Sequence, residues 1–409
     1  MSDAQFDVVV FGATSFVGQI LCQYLTDTYG VNGELKWAAA GRSKDKLEKV
    51  RAQLGAAGSE LPLLTADAND DASLDTLCAQ TRVVVSTVGP YALYGEPMIR
   101  ACVSSGTDYC DLTGEVQWIA AMLEEYEDQA KQSGARIVHC CGFDSIPSDM
   151  GTYFLQQQSQ ARFKAPATRV KMRVKVAKGG VSGGTVASMM NIAEEAAGDP
   201  ALRKKLANPY LLCPPNHGFN ARQDSISMPR NDEDFGAWAA PFVMDAINSR
   251  IVHRSNALNG KAYGDNFTYN EAMLAGPGIS GRLKALGIGT GTGLFFAAAA
   301  IKPTRWLLNK FVVPQPGEGP SPEAQKAGFY DIRFFGVTDN NDSIRVKVTG
   351  DADPGYGSTA KLLGQAAACL AQDVPADAPG GFWTTSSLLG DSLLKRLQEK
   401  AGMTFTVID

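Results

Sequence analysis

The strand-like run Val8-Val9-Val10-Phe11 feeds directly into Gly12-Ala13-Thr14-Ser15-Phe16-Val17-Gly18, and a helical apolar pattern starts inside that loop. Few chain paths accept this order. The strand must stop, turn at a residue free to take a left-handed backbone, and enter a helix lying so close that one position carries no side chain. Gly12 suits the turn and Gly18 the close packing. The first turn of such a helix offers N–H groups with no intrahelical partner, at the positive end of the helix dipole. That is a cradle for a pyrophosphate, and it makes Gly12, Ala13, Thr14, Ser15, Phe16, Val17 and Gly18 candidate dinucleotide-binding residues. Ser15 stands where a glycine is common, which tightens the approach there.

The next 125 or so residues continue the alternation that such a loop requires, with strands expected at 7–11, 36–40, 61–64, 83–87, 108–112 and 136–139. Crossover helices are expected at 16–28, 44–54, 73–79, 97–104 and 116–133. Six strands so spaced make a doubly wound parallel sheet, so the fold class is α/β with an N-terminal Rossmann-type domain. At 409 residues the chain exceeds what one core usually organises. The pattern changes after Gly142: Lys171–Val176 alternates charged and apolar residues with the period of a half-buried strand, as do stretches within 328–337 and 343–350. The expectation is a Rossmann domain over 1–150, completed by C-terminal helices in 355–409, and an α+β substrate domain over 151–354 with an antiparallel or mixed sheet.

The end of the second strand discriminates between the two nicotinamide cofactors. An NAD site places a carboxylate there for the ribose 2′-hydroxyl, whereas this chain reads Ala40-Gly41-Arg42-Ser43-Lys44. Arg42 and Lys44 can neutralise a 2′-phosphate and Ser43 can donate to it, which favours NADP. In the plainer reading Ser43 is a helix cap and the two cations are solvated; Ser43 can serve both purposes. Asp67, past the third strand, is placed to meet the adenine or to cap a helix. Thr87, Val88, Gly89 and Pro90 follow the fourth strand on the edge where ligands bind in such sheets.

Composition closes several other routes. Net charge −5 and an isoelectric point near 5.4 argue against the basic field that general nucleic-acid binding needs. The start MSDAQFDVVVFGATS lacks a basic segment followed by an apolar core, so a cytoplasmic location is expected. Eight cysteines and three histidines without metal-ligand spacing predict no metal site and reduced, buried thiols. None of the 12 tyrosines has a lysine four residues on, which excludes the short-chain dehydrogenase proton donor. A thiolate route would draw on Cys110, Cys140 or Cys141 beside His139.

Three motifs beyond the glycine loop resemble the saccharopine dehydrogenase-like oxidoreductases, in particular their trans-acting enoyl reductase branch: Val88-Gly89-Pro90-Tyr91-Ala92-Leu93-Tyr94-Gly95-Glu96, Tyr109-Cys110-Asp111-Leu112-Thr113-Gly114-Glu115 and Gly142-Phe143-Asp144-Ser145-Ile146-Pro147-Ser148-Asp149. The resemblance extends to Gly317-Glu318-Gly319-Pro320 and the closing 380–405 segment, departing at Ser15 and Thr384-Thr385. It implies an NADP-binding Rossmann domain with a substrate domain inserted before its last helices, and a reductase acting by hydride transfer on an acyl-chain or lipid-type substrate. A saccharopine-type carbon–nitrogen oxidoreductase and a non-catalytic, lipid-associated NADP-binding protein are the alternatives.

Hydride transfer needs a group that handles the proton. Tyr94, Asp111 and Asp144 are the catalytic candidates, drawn from a set that also holds Tyr91, Glu115, Ser145 and Asp149. Arg169, Lys171, Arg173 and Lys175 share one strand face, and Arg345 and Lys347 repeat the pattern, a basic platform that would suit an acyl carrier or anionic lipid unless it is simply solvated. No acid occurs in 272–317, where Arg282, Lys284, Lys302, Arg305 and Lys310 flank the apolar run 287–301. That segment is expected either to rest peripherally on a membrane or to line the substrate site.

Overall fold

The computed structural model describes residues 4–180, 182–311 and 319–409, with side chains given for all of these but 309–311. Lys310, Phe311, Gly317 and Glu318, singled out in the sequence, thus lie outside the described side chains. The first stretch runs β1 (Phe6–Phe11), α1 (Phe16–Tyr29), β2 (Trp37–Gly41), α2 (Lys44–Gln53), β3 (Leu63–Thr65), α3 (Asp71–Cys78), β4 (Thr81–Ser86), α4 (Tyr91–Tyr94), α5 (Glu96–Ser105), β5 (Asp108–Asp111), α6 (Val116–Ser133) and β6 (Arg136–Val138). Val8, Val9 and Val10 of β1 and Val83, Val84 and Val85 of β4 are fully buried, as strands covered on both faces must be.

A second stretch follows with α7 (Ile146–Phe163), β7 (Ala167–Lys178), α8 (Gly183–Gly198), α9 (Pro200–Leu206), β8 (Arg230–Asp232), β9 (Ala237–Ala240), α10 (Asp245–Leu258), β10 (Thr268–Gly276), α11 (Gly278–Ala300), α12 (Lys302–Phe311), α13 (Pro322–Lys326), β11 (Phe329–Thr338) and β12 (Ser343–Gly350). The chain closes with α14 (Thr359–Gln372), β13 (Gly381–Trp383), α15 (Gly390–Lys400) and β14 (Thr404–Val407). Two compact units result: described residues 4–143, 319–320 and 355–401 form one, and 144–180, 182–311, 321–354 and 402–409 the other.

The first unit holds a seven-stranded sheet in the order β13-β6-β5-β4-β1-β2-β3, with every pairing parallel. Its strand order reverses between β1 and β4, and at that switch point the carboxyl-end loops part to make a crevice. The seventh strand comes from the C-terminal segment, where only helices were expected; three residues, Gly381-Phe382-Trp383, are too few to show a period. Arg136 fastens this addition by donating to Pro375 O at 2.9 Å while its Nε and Nη2 hold buried Asp108. Helix α14 lies against α1, β1, β4 and β5, and Tyr29 of α1 donates to Gln365 Oε1 of α14 at 2.8 Å.

The second unit holds a mixed sheet in the order β14-β12-β11-β7-β10-β9-β8, in which only β7 and β10 pair in parallel. Helices α7 and α10 cover one face. The other carries the basic residues, but not as an open platform. Strand β11 separates β7 from β12, and β8 with the turn after it brings in Asp232 and Asp234. Arg173 is fully buried, donating to Asp232 Oδ2 at 2.6 Å and Asn270 Oδ1 at 2.8 Å, and Lys171 lies 2.5 Å from Asp234. A guanidinium cannot be buried without such partners, so these cations chiefly organise their own loop.

The helix-covered face buries a polar network. Ser145 donates to Asn248 Oδ1 at 2.8 Å; Asn248 Nδ2 donates to Glu271 Oε2 at 2.9 Å and to Ser148 Oγ at 3.1 Å; Tyr269 donates to Glu271 Oε1 at 2.6 Å. Asp245 accepts the Glu271 N–H at 3.1 Å. Burial, with the Asp245 charge adding to it, raises Glu271 from 4.5 to about 8, and burial raises Asp245 to about 6. The folded protein therefore holds protons that the unfolded chain releases, and stability falls as pH climbs from about 4.5 through about 8. Thermal unfolding should show that loss, on the order of a few kcal/mol, and Glu271→Gln should flatten it; an unchanged slope in the variant would assign the pH dependence elsewhere.

Candidate functional site

The loop between β1 and α1 is held by contacts that only its residues allow. Gly12 takes a left-handed backbone, φ +89°, and a Cβ there would fall 2.7 Å from Thr87 Oγ1 and 2.8 Å from Val88 Cγ2. The Gly12 and Ala13 N–H groups both donate to Ala40 O, at 3.0 and 3.1 Å. A Cβ on Gly18 would come within 2.2 Å of Gly12 O. Ser15 is the α1 N-cap: its hydroxyl accepts from Gly18 N at 2.9 Å and lies 2.9 Å from Thr87 Oγ1, which donates to Gly12 O at 2.9 Å. The serine thus spends its hydroxyl on the loop, and the Phe16 and Val17 N–H groups remain at the helix start without intrahelical acceptors. Thr14 through Val17 are half-buried, and the first turn carries no acid, so the positive end of the helix is open to an anion.

At the end of β2, Ser43 caps α2, accepting from Lys46 N at 3.4 Å. Arg42 and Lys44 are exposed and form no ion pair among the described residues. Two uncommitted cations and one capping hydroxyl, with no carboxylate at the strand end, could hold a 2′-phosphate. Asp67 lies beyond β3, where its Oδ1 accepts from Asn69 N at 3.1 Å and Asn69 Nδ2 at 3.3 Å. That carboxylate shapes its own turn, and the cap of α3 that was one of its expected roles falls to Asp70, whose side chain accepts from Ser73 N.

Past β4, Thr87 N donates to Phe11 O at 2.9 Å, Val88 N to Ser86 Oγ at 3.3 Å, and the Gly89–Pro90 bond is cis. Glu115 is fully buried and receives Tyr91 N at 2.9 Å and Ala92 N at 3.0 Å on its two oxygens, so it caps α4 from a different strand's loop. Tyr91 donates to Ser86 O at 3.0 Å and accepts from Leu112 N at 3.2 Å; burial, and then the Asp111 charge, push its phenol well up. Tyr94, at the far end of α4, is 43% exposed, and its hydroxyl makes no hydrogen bond among the described residues.

Asp111 ends β5 as a hub. Its Oδ1 accepts from Thr113 N at 3.1 Å and Cys140 N at 3.2 Å, its Oδ2 lies 2.7 Å from His139 Nδ1, and its carbonyl accepts from Cys141 N at 2.7 Å. This carboxylate binds the ends of β5 and β6 to each other. His139 Nε2 is buried with no hydrogen bond, among the rings of Trp118, Phe382 and Tyr109. Its other nitrogen being given to Asp111, it serves no neighbouring thiol as a base. Cys110, Cys140 and Cys141 are all buried, and burial pushes the Cys141 thiol well up, against a thiolate route.

Asp144 opens the second unit, whereas Tyr94 and Asp111 belong to the first. Thr185 Oγ1 donates to Asp144 Oδ2 at 3.0 Å, and burial raises the carboxyl above its ordinary range in spite of that bond. Asp149 accepts from Ser255 Oγ at 2.6 Å inside the second unit. Among the described residues no group of three potential ligands could hold a metal.

Sequence reasoning missed one contact at the phosphate loop. Gly319 lies so close to Phe16 that a Cβ would fall 2.1 Å from the ring, and Tyr356 meets the ring edge to face with centroids 4.9 Å apart. The only signal was that Gly319-Pro320 falls in a motif of the resembling family.

Comparison with known proteins agrees with this geometry. Residues 8–138 match the family model for the saccharopine dehydrogenase NADP binding domain. A Mycobacterium tuberculosis protein provisionally named a trans-acting enoyl reductase is 39% identical over 406 residues, 96% of this chain and 95% of the relative. The trans-acting enoyl reductase of Mycobacterium bovis is 35% identical over 415 residues, 97% of this chain and 96% of that protein. The solved apo saccharopine dehydrogenase (L-Glu forming) of Saccharomyces cerevisiae is similar with a TM-score of 0.49 at 13% identity, covering 99% of this chain and 100% of that one. The loop geometry makes a direct demand on affinity. Arg42→Ala should weaken NADPH binding by about tenfold or more, the worth of one charge-assisted phosphate contact, and leave NADH binding unchanged by calorimetry; equal losses for both cofactors would remove the 2′-phosphate from Arg42.

Proposed function

The chain belongs to the saccharopine dehydrogenase-like oxidoreductases and is an NADP-dependent member; from that premise we propose that it reduces the carbon–carbon double bond of an enoyl substrate carried on an acyl chain. The observation that carries the proposal is the likeness, along nearly the whole chain, to proteins named trans-acting enoyl reductases. It reaches the second unit as well as the NADP-binding part, which a shared cofactor alone would not require.

The residues of this chain divide the work as follows. The open N–H groups at the start of α1 and the Gly12–Gly18 approach receive the pyrophosphate, and Arg42, Ser43 and Lys44 receive the 2′-phosphate. Thr87, Val88, Gly89 and Pro90 form the floor beside the switch point, where the ribose and nicotinamide belong. The cofactor, when bound, supplies the hydride. The reduced carbon then leaves its neighbour in need of a proton, and a hydroxyl that no other group holds is free to deliver it. Tyr91 is both buried and committed, while Asp111 is engaged on both oxygens. Tyr94 alone of the first unit's candidates has a partly exposed, unengaged hydroxyl, and it is the proton donor we assign. Glu115 is its positioning residue, because it fixes the start of the four-residue helix that carries Tyr94.

The test is consumption of NADPH in the presence of 2-enoyl thioesters of increasing chain length. Turnover should appear with these substrates, and Tyr94→Phe should lower it on the order of a hundredfold while the NADPH dissociation constant stays the same. NADPH that binds but is oxidised only with an imine, or with a carbonyl compound and an amine together, would move the protein to carbon–nitrogen chemistry. Turnover that survives Tyr94→Phe would take the proton from another group.

A further inference from the structure

Helix α11 is built inside out for a helix in water. A surface helix normally buries its large apolar residues and leaves small or charged ones outside. Here the buried residues of the helix are Gly281, Ala285 and Ala299. A Cβ on Gly289 would meet Pro229 at 3.0 Å, and Ala285 packs with Ala240 and Ala275 against Trp238 and Met273. The helix therefore meets β9, β10 and α8 of its own unit through a seam of small residues. Most of its large residues point away: Ile279 is 80% exposed, Leu283 64%, Leu286 44% and Leu294 66%, whereas Ile288 packs with the seam. At about 100° per residue these four fall within an arc of about 80°, on the side opposite the small-residue seam.

Helix α12 extends this surface. Thr304 Oγ1 donates to Ala298 O at 2.6 Å and Arg305 pairs with Glu194 at 2.7 Å, which fix its start beside α11 and α8, and Ile301, Trp306 and Leu307 are exposed. Glu194 is taken up by Arg305, and within 272–317 itself the charges have one sign. No acidic residue occurs between Glu271 and Glu318, and Lys284 and Lys302 stand exposed with no ion pair among the described residues. Arg282 lies over the Trp238 ring.

We propose that α11 and α12 form a docking surface for an anionic lipid bilayer, with the Ile279, Leu283, Leu286 and Leu294 stripe in the acyl boundary and Lys284 and Lys302 at the headgroups. The 23 residues of α11 would reach about 35 Å, long enough to cross a bilayer, but a helix packed along its length against its own fold lies in the interface plane. A second copy of the chain would cover the stripe equally well as apolar area. The lysines decide between them: two copies meeting on this patch would bring like charges together, whereas an anionic headgroup layer neutralises them. The inference does not depend on the enoyl substrate and stands or falls separately from it.

Flotation of the full-length protein with vesicles tests it. The wild type should rise with phosphatidylglycerol-containing vesicles and much less with pure phosphatidylcholine, and high salt should weaken the association. The variant Leu283→Glu, Leu286→Glu, Leu294→Glu should lose flotation on the order of tenfold while binding NADPH as the wild type does, which shows that the fold is intact. If that variant does not bind NADPH, Lys284→Glu, Lys302→Glu serves instead, and it should abolish the preference for anionic vesicles. A wild type that stays at the bottom with both lipids overturns the proposal, as does a wild-type dimer in solution that the leucine variant splits into monomers.

Discussion

The hydroxyl chain from Ser15 through Thr87 to Gly12 O sets the geometry on which the cofactor end of the molecule rests. It joins the loop after β1 to the loop after β4, the two strands between which the sheet changes direction. Each link excludes a larger residue: a Cβ on Gly12 would strike Thr87, and one on Gly18 would strike Gly12 O. Ser15, which departs from the common glycine, is a replacement of function here, because a side chain that caps the helix holds the turn that glycine would merely permit. The consequence reaches the ligand. Once Gly18 N is satisfied internally, the open donors are narrowed to the first N–H groups of α1.

The same economy governs the buried carboxylates of both units. Asp111 ends β5, Glu115 stands at the N-cap of α6, and each takes backbone N–H groups from a neighbouring segment, so that the loops after β4, β5 and β6 are fixed relative to one another by charge-assisted hydrogen bonds. Glu271 is held differently. It receives side-chain donors only, beside another carboxyl, and burial holds it protonated far above the ordinary range.

Much of this was legible in the sequence. The glycine loop, the absence of an acid after β2 and the six-strand alternation gave the doubly wound sheet and the cofactor, because each rests on local spacing. What escaped was set by distance along the chain. Strand β13 has three residues and exists only because Arg136 and the edge of β6 receive it. The burial of Arg173 depends on Asp232, which lies 59 positions away and gives no periodic signal. Glu115 as the cap of α4 and Gly319 against Phe16 are likewise tertiary facts. Asp111 was chosen for its residue type and its place on the carboxyl edge, and those same properties suit it to tie two strands together.

The apolar segment shows where sequence and structure must be read as one. Composition alone could mark 272–317 as apolar and cationic, yet a core helix and a lipid-facing helix share that composition. The arrangement of sizes distinguishes them. A core helix needs its large side chains inward, since buried area is what stabilises it, and a helix seated by Gly281, Ala285 and Ala299 gains little from its own fold. Removing Leu283, Leu286 and Leu294 from water would contribute roughly 2 kcal/mol for each leucine, a gain the folded monomer leaves unrealised. A seam of small residues also permits close backbone approach without demanding any particular large neighbour, so the segment can keep its place while its outer face answers to a different medium. The four glycines at 287, 289, 291 and 293 fit that arrangement: they cost helix stability in water, a cost more easily borne where a second surface supports the helix from outside.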